Sequence, residues 1–397
     1  MNRKYLLALL LLLPVSYTAH VIADVRGNVR LESRYYFESG DQGQEQQQHS
    51  IVLAPEFFTE SGNSLYTFAF HLREDSQDDE RSHFDIRELS WVSYGDDWEI
   101  RAGISKVFWG VAESQHLVDI INQTDAVENV DGEDKLGQPM VNVTLMREWG
   151  NLEFFLLPYF RERTFAGIDG RFRAPIRIDT DLTTYASSDE DKRIDGAIRW
   201  ASTLGDWDVG IAHFSGTSRE PRFNPLLVGN EIVLAPHYTT IDQTSIDLQA
   251  TIESWLWKLE MISNSGFDLE RYTAAVAGFE YSFYDVAESG IDIGLIMEYQ
   301  YDSRNADYAG NAIEDSIVIG SRFAWNDEQS TELLVGAGFS EEDGVFWNIE
   351  GSRRIGQNWK VTLEGRIISG VEDTMVTNPF YAIRNDSFIQ LELVRYF

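Results

Sequence analysis

Ser114, His116 and Asp119 lie close together in the sequence and are the residue types of a hydrolytic triad. In such a triad a histidine takes the proton of a serine hydroxyl, and an acid orients the imidazole. On a strand, Ser114 and His116 would share one face. The sequence contains no Gly-x-Ser-x-Gly elbow. A phospholipase-like hydrolase is therefore a hypothesis that rests on these three residues.

Metal chemistry has less support in the sequence. The 7 histidines are scattered singly, and there is no cysteine, so no metal-ligand spacing appears. Acidic runs at 74–80 and 179–191 could suit hard cations, but they lack EF-hand spacing and are better explained as solvated charge. The sequence predicts no metal site and no cofactor. Divalent bridging from these runs to anionic lipopolysaccharide is a hypothesis only.

The triad residues belong to a longer acidic segment, 110–138, whose inner part from Leu117 to Val130 is apolar. A loop of this length is usually functional, and its apolar part must pack against something. The simplest arrangement folds it inward as a pore constriction; the alternative is an external loop packed on its neighbours. Its charged residues, which would set the field of a constriction, are Glu113, Asp119, Asp125, Glu128, Asp131, Glu133, Asp134 and Lys135.

Basic residues recur on the polar side of predicted strands. The predicted basic wall comprises Arg26, Arg30, Arg34, Arg161, Arg163, Arg322, Arg354, Lys360 and Arg366. Facing the acidic segment across a passage, they would create a transverse field, because rings of charge set selectivity. The alternative is that they pair with acids of the wall and fill it. These acids are Glu32, Glu350, Glu364 and Glu392.

The segments that must position these residues have the alternating pattern of β-strands. In the last stretch, Ser387 to Phe397, Ile389, Leu391 and Leu393 alternate with polar residues. Successive strand residues point to opposite faces, so this is a ribbon with one apolar and one polar face. Similar stretches recur along the chain. The pattern predicts lipid outside and water inside, although sequence alone leaves open which face points inward.

The connections between these strands alternate between short and long. Short turns and long loops of this kind predict an all-β, closed antiparallel transmembrane barrel of about 18 strands (16–18), with short periplasmic turns and long extracellular loops. Aromatic residues beside the short turns would form an interfacial girdle. They are Trp98, Trp207, Trp255, Trp359 and Phe397.

The amino terminus predicts export. Residues 1–23 have a basic start, a short apolar run and small residues before a cleavage point after Ala23, as in a secretory signal peptide. Residues 24–397 then form a single barrel domain. The formal net charge is −33, which disfavours nucleic-acid binding because that requires a basic surface. Aromatic residues make up 13% of the chain, which is natural for a barrel with interfacial girdles.

Two stretches resemble Gram-negative outer-membrane barrels. The terminal strand ending in Phe397 is similar to their closing strand, which implies recognition by the barrel-assembly machinery; Arg395 departs from the pattern by lying on the apolar parity. The segment with Gly103, Trp109 and Glu113, together with Val107 and Gly110, resembles the entry to the long inward loop of porin-like barrels. The resemblance implies a channel and no particular substrate.

These observations together predict a porin-like channel in the outer membrane of a Gram-negative bacterium, passing small charged or polar solutes by diffusion. It would be no enzyme, would contact outer-membrane lipid and lipopolysaccharide, and could form a homo-oligomer. Three rivals stay open: a barrel-embedded hydrolase, a sealed surface or structural barrel, and a soluble secreted β protein. The solute, the ion preference and the oligomeric state are open as well.

Overall fold

The alternating stretches fold as β-strands. The computed structural model describes residues 24–397, except 267–268, 305–314, 341–343 and 372–379. The strands are β1 (Asp24–Tyr36), β2 (Gln47–Ser61), β3 (Ser64–Asp75), β4 (Phe84–Tyr94), β5 (Trp98–Ser105), β6 (Gln138–Arg147), β7 (Gly150–Leu157), β8 (Thr184–Tyr185), β9 (Asp195–Leu204), β10 (Trp207–Thr217), β11 (Arg222–Val228), β12 (Glu231–Tyr238), β13 (Thr240–Ile252), β14 (Trp255–Gly266), β15 (Leu269–Phe283), β16 (Asp292–Asp302), β17 (Ser316–Ala324), β18 (Glu332–Ser340), β19 (Gly344–Ile355), β20 (Trp359–Ser369) and β21 (Phe388–Tyr396). Single 3-10 turns occur at Thr180–Leu182, Glu190–Lys192, Val286–Glu288 and Tyr381–Ile383.

Eighteen of these strands form one closed antiparallel sheet, as the sequence predicts. Each strand pairs with the next barrel strand in the chain, and β1 pairs with β21 to close the barrel. In the closing pair Leu31 lies opposite Leu393, and Tyr36 lies opposite Phe388. Closure leaves no free sheet edge, which is the condition for a sheet to span lipid. The remaining strands β8, β11 and β12 form a small separate sheet.

The two ends of the barrel differ in their connections, but the predicted alternation of short and long is not strict: only two residues separate β14 from β15 and three separate β18 from β19, where longer loops were expected. Eight connections of two to eight residues, such as 62–63 and 205–206, lie at the end that also carries Asp24 and Phe397; we call this the turn end. Gly205 has φ +66, a left-handed conformation that suits glycine in a two-residue turn. The opposite, loop end carries the longer connections and the small sheet.

The outer surface of the barrel is apolar. On β1 and β21, Leu31 is 51% exposed and Leu391 is 54% exposed, whereas Glu32 and Arg34 are buried inside. Exposed aliphatic and aromatic residues recur in this way on strand after strand. Aliphatic rows outside and charged rows inside are the arrangement of a membrane barrel. The rival interpretation, a soluble secreted β protein, would require the opposite arrangement, with aliphatic rows inside and charged rows outside.

One part of the interior departs from the predicted polar lumen. On β7, β10 and β14, inward residues such as Phe155, Phe214 and Ile262 are buried in a hydrophobic cluster. The cluster is completed by Trp109, Val118 and other residues from the long connection between β5 and β6. These inward positions are apolar because protein, and not water, covers them. In the described part of the chain, no helix is long and apolar enough to cross a membrane.

Candidate functional site: the inner wall and the segment it holds

The connection between β5 and β6, residues 106–137, is called the inner loop here. Glu260, a buried residue on β14, accepts hydrogen bonds from three backbone N–H groups of the inner loop. They are those of Val111, Ala112 and Val118, at 2.7, 2.9 and 3.2 Å. Bonds to a carboxylate are stronger than bonds between neutral groups. Glu260 therefore fixes the first half of the inner loop against the inside of the wall.

A second buried carboxylate, Glu298 on β16, holds inner-loop residues that lie between Ala112 and Val118. It accepts from the backbone N–H groups of Glu113 and Ser114, both at 2.8 Å, and from the Ser114 hydroxyl at 2.6 Å. Gln300 on the same strand donates to that hydroxyl at 2.8 Å. The inner loop thus crosses the barrel from β5 to the β14–β16 wall.

These contacts separate the three residues of the hydrolase hypothesis. The Ser114 hydroxyl is engaged by the wall, and no hydrogen bond between it and the His116 imidazole occurs in the described structure. His116 lies 2.9 Å from Glu133, and Asp119 lies 3.4 Å from the amine of Lys135. A nucleophile needs its base within hydrogen-bond reach. The arrangement does not assemble a triad from these residues.

The apolar part of the inner loop packs against one half of the interior. Val118 and Ile121 are fully buried, and the Trp109 ring meets Phe155 of β7 edge-on with centroids 5.5 Å apart. Arg219, which follows β10, donates to the carbonyl oxygen of Ile121 at 2.9 Å. This half of the barrel interior is therefore filled by protein.

The other half contains a cavity of about 380 Å³ between the inner loop and the wall from β17 to β20. Inner-loop carboxylates meet wall cations there: Arg322 lies 2.6 Å from Glu113, and Arg366 lies 3.1 Å from Asp131. Its charged lining consists of Glu113, Asp131, Glu133, Arg322, Glu332, Glu350, Lys360, Glu364 and Arg366. Partial burial raises the pKa of Glu113, but the charges of Arg322 and Lys258 outweigh it and lower that pKa.

A smaller polar cavity of about 170 Å³ lies between the inner loop and β1, β20 and β21. Arg30, Arg34 and Asp134 are among its lining residues. Arg34 donates to Gln390 at 2.7 Å and lies over the ring of Phe388. The predicted constriction residues therefore divide between two polar cavities and the protein interior.

Three of the predicted constriction acids are buried in contacts with the wall or the inner loop itself. Asp119 and Lys135 pair with each other, Asp125 accepts from Arg87, and Glu128 accepts from Arg73. Buried charges of this kind need partners, because an unpaired one is costly. These acids hold the inner loop in place, whereas Glu113, Asp131 and Glu133 face the large cavity.

The predicted basic wall is also divided. Arg26 pairs with Glu56 near the turn end, and Arg354 is exposed at the same end. Arg161, beyond β7, binds Asp85 at 2.6 Å. The backbone N–H of Arg163 donates to the hydroxyl of Tyr238. These four residues do not line the large cavity.

The remaining predicted basic residues lie on the side of β17–β21 and β1. Arg322, Lys360 and Arg366 line the large cavity, and Arg30 and Arg34 line the small one. Several also pair with wall acids, as the alternative interpretation expects. Arg366 lies 2.9 Å from Glu350 and 3.3 Å from Glu364, and Arg30 lies 3.6 Å from Glu392.

Sequence reasoning missed the basic residues that anchor the inner loop. Arg73 and Arg87 bind its buried acids, and Lys258 lies 3.2 Å from Glu113. Lys258 lies on the same face of β14 as Glu260, and the alternation of polar and apolar residues along β14 shows this in the sequence. Arg87 interrupts the alternation of β4, because it is the extra residue opposite Ala69 and Phe70 where the register between β3 and β4 shifts.

All five predicted girdle residues lie at the turn end. The four tryptophans begin β5, β10, β14 and β20, and Phe397 follows β21 directly. Trp255 stacks on Trp257 with centroids 5.3 Å apart. The guanidinium of Arg395 lies over the ring of Trp359, 5.2 Å from its centroid. The interfacial role of these aromatic residues stays a prediction.

Comparison with known proteins finds likeness only among solved structures. No protein-family model and no curated protein matches the chain. Salmonella typhi OmpF in complex with daunomycin is 8% identical, with 94% of this chain and 97% of that chain covered and a TM-score of 0.47. A mutant of the Rh. blastica porin is 9% identical, with 95% and 100% covered and a TM-score of 0.45. We transfer no residue role from either.

Proposed function

We propose that this protein is an outer-membrane, porin-like channel through which small polar or charged solutes diffuse passively, without catalysis. The observation that carries the proposal is the large cavity inside a closed barrel, with inner-loop carboxylates on one side and wall cations on the other. The inner loop, within the predicted segment 110–138, would be the constriction. Solutes would move down their gradient through the half of the interior that the apolar cluster leaves open.

The charges around the large cavity suggest which ions it favours. Its lining carries six carboxylates, but only Arg322, Lys360 and Arg366 as cations. Rings of charge set ion selectivity in pores, and a surplus of one sign raises the local concentration of the opposite ion. We therefore infer a preference for cations, with the facing charges adding a transverse field that orients dipolar solutes.

The location and partners follow from the same proposal. Residues 1–23 would be removed as a signal peptide, leaving 24–397 as one barrel. The long loops would face outward, toward lipopolysaccharide, and the turn end would face the periplasm. The barrel-assembly machinery would recognise strand β21 together with Phe397, which follows it. A homo-oligomer is compatible with the exposed outer face.

Planar-bilayer recording tests the channel proposal. Purified barrel should produce discrete current steps, and in a salt gradient its reversal potential should show cation preference. Glu113→Gln removes one cavity charge; at about 10 Å in water this charge is worth about 0.4 kcal/mol, so cation preference should fall about twofold. Asp206→Asn, in a turn at the turn end, is the matched control and should leave the ratio unchanged. Absence of current steps would instead favour the sealed barrel.

A further inference from the structure

Two of the scattered histidines meet a carboxylate of the inner loop. His71 lies on β3, His83 precedes β4 and Glu128 belongs to the inner loop, and one ligand atom from each lies within 4.8 Å of the others. His71 Nε2 donates to Glu128 Oε1 at 2.9 Å, a proton that a bound metal would displace, and His83 Nε2 is 3.5 Å from the same oxygen. The imidazole rings stack with centroids 5.4 Å apart. Asp125 Oδ2 lies 3.5 Å from His83 Nε2.

The orientation of His83 points to a cation between these atoms. Its Nδ1 lies 3.0 Å from the backbone carbonyl of Arg81. A carbonyl can only accept, so Nδ1 carries the proton and Nε2 presents a lone pair. That Nε2 is buried and has no hydrogen-bond partner among the described residues. It faces carboxylate oxygens of Asp125 and Glu128, and acceptors that face one another need a positive charge between them.

We propose that His71, His83, Glu128 and Asp125 bind one divalent transition-metal ion, such as Zn²⁺ or Cu²⁺. Ligand atoms at tetrahedral zinc with bonds near 2.0 Å lie about 3.3 Å apart, close to the histidine–carboxylate distances of 2.9 and 3.5 Å seen here. Imidazole ligands suit zinc and copper, whereas calcium and magnesium take oxygen ligands. The site does not depend on the barrel conducting ions.

The surroundings provide the second shell that such sites need. The Arg81 carbonyl orients His83, and the guanidinium groups of Arg73 and Arg87 hold the carboxylates of Glu128 and Asp125. Around the site, ion pairs join five carboxylates to four guanidinium groups. They are Glu32, Asp75, Asp85, Asp125 and Glu128 with Arg73, Arg81, Arg87 and Arg161. These ion pairs fix the carboxylates of Glu128 and Asp125 in position.

A bound metal would join three parts of the chain. It would link β3, the connection that ends at His83, and the inner loop, and so clamp the inner loop to the wall. A metal that binds only the folded protein also stabilises it. The competing occupant is a proton on His83 Nε2, which would satisfy the same two carboxylates without a metal.

Equilibrium dialysis of the chelator-stripped, detergent-solubilised barrel against Zn²⁺ separates the two occupants. One zinc ion per barrel should bind, and His83→Gln should weaken binding by at least about tenfold. The matched control is His213→Gln, which changes an exposed histidine on β10 and should bind zinc like the parent. The migration shift on boiling checks that each variant is folded.

Electron paramagnetic resonance of the Cu²⁺-loaded barrel then identifies the ligands. Two nitrogen couplings are expected in the parent, and one in His71→Gln or His83→Gln. If His71→Gln does not fold, His83→Gln alone decides, because His83 lies outside the strands. Failure of the parent to bind zinc, or equal binding by the parent and His83→Gln, would overturn the site and leave the proton as the balancing charge.

Discussion

Glu298 on β16 accepts two hydrogen bonds from Ser114, one from its backbone N–H at 2.8 Å and one from its hydroxyl at 2.6 Å. The two residues are 184 positions apart in the chain. Together, Glu260 and Glu298 hold the inner loop in a fixed position inside the barrel. The width of any passage through the barrel then depends on these two carboxylates keeping their backbone partners.

Glu298→Gln should weaken the attachment of the inner loop to the wall. The amide retains the size of the side chain but replaces one acceptor oxygen with a donor that faces backbone N–H groups. Hydrogen bonds to a charged acceptor contribute about 1.5–3 kcal/mol, so the free energy of unfolding should fall by about 2 kcal/mol. Urea unfolding measures that change, and single-channel recording should show larger fluctuations of the open current.

The matched control for this variant is Glu153→Gln on β7, for which the described residues show no hydrogen bond to the inner loop. It should leave both the urea midpoint and the current fluctuations as in the parent. If Glu298→Gln behaved like this control in both measurements, Glu298 would not be an anchor of the inner loop.

Much of the barrel could be predicted because its signals are local. Each strand shows its own alternation, and each turn is a short break between two alternating stretches, so the number of barrel strands could be predicted from the sequence. Closure of β1 on β21 follows from an even number of antiparallel strands. Even the apolar centre of segment 110–138 correctly predicted packing, since residues such as Ile121 are buried.

The contacts of the site could not be predicted because they are made across the barrel. Glu260 bonds the backbone of Val111, 149 residues away, and no local pattern marks that pair. His71 and Glu128 meet only because the inner loop, which follows β5, folds back to β3. The acids of the inner loop looked equivalent in sequence, but burial divides them into anchors and residues that face the cavity.

Ile121→Ala should undock the inner loop from the filled half of the barrel. The side chain is 0% exposed and belongs to the cluster with Trp109 and Phe214. Removing it leaves a cavity, which should lower the free energy of unfolding by about 3 kcal/mol. Urea unfolding tests this. The matched control is Ile168→Ala in an exposed loop, which should change stability by less than about 0.5 kcal/mol. Equal effects of the two substitutions would refute the packing role of Ile121.

The stability of the inner loop should depend on pH through His116. Burial alone would lower the pKa of His116, but the hydrogen bond that its imidazole donates to Glu133 and the nearby Glu260 carboxylate raise that pKa to about 10. A pKa raised in the folded state stabilises fully below the unfolded value of about 6.5, and this stabilisation is lost as pH rises through about 10. The urea midpoint should therefore decline between pH 6.5 and 10.

The variant His116→Gln provides the comparison, because it cannot titrate. Its urea midpoint should change less over the same pH range than that of the parent. Nuclear magnetic resonance of the imidazole ring gives a direct reading, since the His116 signal should stay in its protonated position at pH 8. A ring that loses its proton near pH 6.5 would contradict the ion pairing with Glu133.

Leu391→Arg should test whether the outer face of the barrel wall contacts lipid, because a charge placed there should weaken folding into a bilayer. Leu391 lies in the middle of β21, opposite Ser33 on β1, and its side chain points outward. An arginine facing the midplane of a bilayer costs about 2–4 kcal/mol, so folding into lipid vesicles should be weakened by that amount. The inward control Ser352→Arg lines the large cavity and should fold into vesicles nearly as well as the parent, because water solvates its charge. Urea titration of vesicle-inserted protein measures both variants, and a larger penalty for Ser352→Arg would reverse the assignment of the faces.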